Sequence, residues 1–144
     1  MEKHTENTIY STFANTAERR KQNTAVVYLG TQFSYQELRD MASRFAAALT
    51  DMGIIAGQKI IIYIPNSIQW VVAWLGIQKI GGVSVPITPI YTPHDLKYIA
   101  NDSEAEAIVC ADTNFGYVTS TLPETQLKKV IVTKMADLLP WWKR

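Results

Sequence analysis

Runs of apolar residues alternate with short polar breaks along this chain, and their period switches between helical and strand-like in a regular order. Between Thr8 and Lys21, Ile9, Phe13, Ala14 and Ala17 share one helical face, with Glu18, Arg19 and Arg20 away from it. Thr24 to Leu29 is a β-rich run, Gly30-Thr31 reads as a turn and Gln32-Phe33 as the start of a return strand, which together predict a hairpin. Ser34 then opens a longer helix. Leu38, Met41, Ala42, Phe45, Leu49 and Met52 fall on one stripe, Ser34 and Glu37 fit a capping box, and Gly53 is free to take positive φ at the stop.

The middle of the chain is more apolar. Lys59 to Ile64 is apolar at successive rather than alternate positions, which predicts a strand covered on both faces. Ile68 to Ile77 is apolar at all but one position, with Asn66 and Gln69 at cap spacing before it. A helix apolar nearly all round is buried, here or against something outside this chain. Gly81-Gly82 ends it and Val83 to Ile87 is the next strand. Thr92, Pro93 and Asp95 make a helix start, with Leu96, Ile99 and Ala100 facing inward. Ala105 to Ala111 and Leu127 to Val132 are further strand candidates, with a weaker helix from Asp112 to Leu122 between them. Strand, helix, strand, helix is the order a right-handed crossover produces in a parallel sheet. The expected fold is therefore α/β: a mainly parallel sheet with helices on both faces and a small hairpin, Tyr28 to Phe33, at one edge. Residues 133–144 are expected to be an extended tail, apolar through Leu138 to Trp142 and with no partner in sight.

Composition narrows the classes of function. The 144 residues are one domain's worth of chain or a piece of a larger one, and the 47% apolar fraction allows a sizeable core. Net charge is +1 with both signs interspersed, and basic residues do not interleave with aromatics, so no nucleic acid is expected as a partner. One cysteine, Cys110, forms no internal disulfide, which fits a reducing compartment. Met1 to Asn7 is polar without an apolar core, so no signal peptide is expected, and no apolar run approaches the ~20 residues of a membrane span.

Several words in the sequence, in this order and spacing, resemble the early N-terminal region of the adenylate-forming (AMP-binding) acyl-CoA synthetases. They are Phe33-Ser34-Tyr35-Gln36-Glu37-Leu38, Pro65-Asn66-Ser67, Ile77-Gln78-Lys79-Ile80-Gly81-Gly82-Val83, Val85-Pro86-Ile87-Thr88-Pro89, and Tyr91-Thr92-Pro93 followed by Leu96-Lys97-Tyr98-Ile99. The family more often has Ala where Ile80 and Gly82 stand, and Asn or a similar residue at Thr88. The likeness covers nearly all of the chain after Thr24, while family enzymes are several times longer. It implies that residues 1–144 are a single partial domain, the N-terminal part of a larger acyl-adenylate-forming domain. The closing Ala136-Asp137-Leu138-Leu139-Pro140 with Lys143 is similar to the long-chain fatty-acid–CoA ligase branch. Such a parent uses ATP, Mg2+ and CoA on a fatty acid, works in the cytoplasm, and leaves peripheral membrane contact open.

No catalytic, cofactor-binding or metal residue is assigned from the sequence. The family's Ser/Thr/Gly-rich phosphate loop ending Pro-Lys-Gly is absent. Thr119-Ser120-Thr121 runs into Leu122-Pro123-Glu124 without a glycine, and Gly76 to Gly81 lacks both the Gly-Lys-Ser/Thr ending and the GxGxxG spacing. The chain alone is therefore expected to bind no cofactor and to be inactive, its main partner being the rest of the parent. His4, His94 and Cys110 are too scattered for a metal site, and Glu104 and Glu106 read as a solvent-facing edge rather than an acid/base pair. From the resemblance alone, Tyr91-Thr92 and Asn114 to Tyr117 lie near the path of CoA. A second class stays open: a free-standing protein-interaction or small-ligand module using the Trp70/Trp74 helix and the Leu138 to Trp142 tail. Either way, apolar surface left in water favours self-association.

Overall fold

Four parallel strands carry the architecture. In this computed structural model, which describes residues 8–143, β3 (Lys59–Tyr63), β4 (Val83–Pro86), β5 (Ala107–Ala111) and β6 (Lys129–Thr133) form one sheet in the order β4-β3-β5-β6. The polar stretch 1–7, with His4, and Arg144 lie outside the described residues. Two central strands buried on both faces explain the unbroken apolar runs. Ile60, Ile62, Val109 and Ala111 point to one side, and Ile61, Tyr63, Ile108 and Cys110 to the other. Glu104 faces solvent and Glu106 does so in part, although β5, which follows them, is an interior strand of the sheet. They sit where the chain enters β5, Glu104 closing a helix at φ 56° and Glu106 accepting a hydrogen bond from Gln58 Nε2.

The helices fall on the expected sides. α3 (Ile68–Lys79) connects β3 to β4 across the first face, with Ala73 and Ile77 on the sheet. α4 (Pro93–Ser103) and α5 (Phe115–Thr121) cover the opposite face through Leu96, Ala100 and Val118. α4 starts with the capping box Thr92/Asp95 and Pro93 in its first turn, as the sequence predicts; the hydrogen bonds from Thr92 hold the Asp95 carboxyl below its ordinary pKa. The cap of α3 differs from expectation. Ser67, not Asn66, is the N-cap and accepts from Trp70 N, while Asn66 stays exposed.

A third layer lies over α3. α1 (Ile9–Arg19), the hairpin β1 (Thr24–Tyr28) with β2 (Thr31–Ser34), and α2 (Tyr35–Asp51) pack Phe33, Leu38 and Ala42 against Ile68, Val72 and Leu75. The hairpin forms where predicted but is a separate two-stranded antiparallel sheet. It does not extend the edge of the parallel one, because α2 and α3 stand between them. Its two-residue turn, Leu29-Gly30, has positive φ at both positions (48° and 71°), the geometry that matches the twist of paired strands; glycine adopts it freely and leucine at a cost of about 1 kcal/mol. Met52, placed on the α2 stripe by sequence, is exposed at the helix cap.

The expected extended tail is a correction. Past Thr133 the chain turns back, and Leu139 is buried among Phe33, Leu38 and Val72, with Ala136 and Leu138 packed beside it. Leu138 and Leu139 find a partner on the α2–α3 surface, while Trp141 and Trp142 stay exposed. No helix among the described residues is long and apolar enough to cross a membrane.

Two predictions follow from the layer contacts. A Cβ at Gly76 would stand 2.7 Å from Phe45 Cδ1 and 3.2 Å from the Ala42 carbonyl oxygen, so α2 and α3 can approach only without it. Gly76→Ala is expected to cost about 1–3 kcal/mol in urea unfolding despite alanine's better helix propensity. Glu18 joins α1 to α2 by accepting from Lys21 Nζ and Arg39 Nη1, both at 2.6 Å; the Lys21 bond, then the Arg39 bond, hold its pKa down to about 2. A depressed carboxylate contributes stability above its ordinary pKa of 4.5 and loses it as pH falls through about 2. Carboxyl-detected NMR should show Glu18 titrating near that lower value, and Glu18→Gln should flatten that part of the acid-stability profile.

Candidate functional site

In an open parallel sheet, ligands gather outside the carboxyl ends of the strands, where neighbouring connections leave in opposite directions. Here β3 exits toward α3 on one face and the adjacent β5 exits toward α5 on the other. The rim between them is knitted by side chains. The Tyr63 hydroxyl donates to the Tyr91 carbonyl, and Asn114 Nδ2 donates to the Pro89 carbonyl at 2.9 Å. Both bonds pull the loop after β4 over the ends of β3 and β5. Tyr63 is fully buried, and that burial pushes its phenol pKa up, so it acts as a neutral donor.

This rim brings together the two segments that the sequence links only by resemblance. Tyr91, Phe115 and Tyr117 are exposed, Asn114 is partly buried beneath them, and His94 lies on the surface beside Tyr91 and Tyr98. Tyr63 and Asn114, which do the tying, were not distinguishable in sequence from a core tyrosine and a loop asparagine.

A groove of about 540 Å³ opens on the other side of the sheet. Phe45, Val72, Ala73, Val109, Ile131 and Leu138 give it a mainly apolar lining, with Arg44, Thr133 and Asp137 also on its wall. Gln69 lies buried at its wall. Its Nε2 donates to the carbonyls of Lys134 (2.8 Å) and Met135 (3.1 Å), which turns the chain back after β6, while its Oε1 has no partner. A single polar residue inside the apolar run Ile68 to Ile77 was the signal for this strut. Trp70 and Trp74 stack at 6.1 Å and are half-buried on α3, a helix held between the sheet and α2. Trp70 packs against the sheet-side core, and Trp74 against both that core and the layer under α2.

Burial raises the Cys110 thiol to about 11, far from a reactive thiolate. Among the described residues no group of three or more His, Cys, Asp or Glu is placed to hold a metal ion.

The arrangement, a switch-point rim on a four-stranded parallel sheet with a helical layer over one face, is that of the N-terminal subdomain of adenylate-forming enzymes. It superimposes on a benzoate CoA ligase from Burkholderia xenovorans with a TM-score of 0.82 at 27% identity, over 88% of this chain and 26% of that one. An anthranilate CoA ligase in complex with anthranoyl-AMP shares the fold, with a TM-score of 0.83 at 20% identity over 88% of this chain and 25% of that one. The profile described as AMP-binding enzyme matches residues 13–143, and the chain belongs to that family. Among curated relatives, a long-chain-fatty-acid–CoA ligase of Salmonella typhimurium is 33% identical over 129 residues, 88% of this chain and 23% of the relative. One of Bacillus subtilis is 26% identical over 136 residues, 94% of this chain and 24% of the relative. The chain thus spans about a quarter of the length of the curated relatives it matches.

Gln69→Ala removes both bonds to the returning segment. The expected result is a loss of about 1–2 kcal/mol in stability and faster amide exchange confined to residues 134–143, read by hydrogen-exchange mass spectrometry.

Proposed function

We propose that this chain is the N-terminal structural layer of a long-chain fatty-acid–CoA ligase, an acid–thiol ligase of the cytoplasm. The parent reaction runs in two steps because a carboxylate is a poor electrophile. ATP converts it to an acyl-adenylate, whose AMP is a good leaving group, and the CoA thiol then takes the acyl group. The observation that carries the reading is the combination of the family match over residues 13–143 with likeness to ligases whose length is several times greater.

The residues present do not fit ATP, Mg2+ or CoA. The loops leaving β3, β4 and β5 are Ile64-Pro65-Asn66-Ser67, residues 87–92, and Asp112-Thr113-Asn114, and none contains a glycine or a lysine to cradle phosphate. No step of the reaction is therefore assigned to this chain. Its contribution is to hold the sheet and rim against which the reactive polypeptide of the parent is placed.

A pyrophosphate-release assay with ATP, Mg2+ and palmitate tests the assignment. The 144-residue chain is expected to show no turnover above background, and measurable release would overturn the division of labour. Sequencing the gene beyond the Arg144 codon tests the parent directly: continuation into a Ser/Thr/Gly-rich loop ending Pro-Lys-Gly is the expected result, and an immediate stop favours a free-standing module.

A further inference from the structure

We draw no further inference here: the strongest candidate, the mainly apolar groove between α2, α3 and the edge strand β6 with the buried Gln69 at its wall, carries nothing because nothing in the structure shows what covers it.

Discussion

The whole arrangement turns on α3 being apolar on every side and having a neighbour on every side. One face, through Ala73 and Ile77, lies on the parallel sheet; the other, through Ile68, Val72 and Leu75, lies under α2 and the hairpin. The two layers share this one helix as a common wall. The contact with α2 is made at Gly76, flanked on the partner helix by Ala42 and Ala46, so backbones meet where side chains would otherwise hold them apart. Close approach places Phe45 against the sheet-side core as well as the upper one. Without α3, the four strands would have one bare face and the hairpin nothing to rest on, since a two-stranded hairpin is marginal by itself.

Much of this was legible in the residues. The switch from alternating to continuous apolar runs at Ile60 marked strands buried on both faces, and the capping boxes at Ser34/Glu37 and Thr92/Asp95 fixed two helix starts. What could not be read was the partner of each apolar surface. Periodicity says that Leu139 wants burial, not that it goes to Phe33 and Leu38. It says that Val26 and Phe33 pair in a hairpin, not whether that hairpin joins the main sheet. The same limit applies to the rim. Tyr63 and Asn114 act through backbone carbonyls of Tyr91 and Pro89, and a carbonyl leaves no mark in a sequence. Ser67 displaced Asn66 as the α3 cap because both are good caps and only the chain's entry angle decides between them.

The rim and the groove divide the two faces of the sheet by character. The β3–β5 end is polar in its joints and aromatic at its surface, tied by single hydrogen bonds between loops. The α2–α3 side is apolar and roomy, with the buried Gln69 holding the returning chain at its wall. Arg44 and Asp137 also line the groove, His94 and Asp95 lie by the rim, and the one thiol is sealed in the core. The chain belongs to the AMP-binding family and spans about a quarter of the length of its curated relatives.

The strand order has a consequence for biosynthesis. β3 is made first among the parallel strands, yet it ends between β4 and β5, and β4 arrives before β5. While the nascent polypeptide emerges from the ribosome, β3 has one flank closed by β4 and the other open until α4 has been translated and β5 inserted. An isoleucine-rich strand with an unpaired flank is a template for mispairing with other chains. The interval between those two strands is therefore the one in which that flank of β3 stays open.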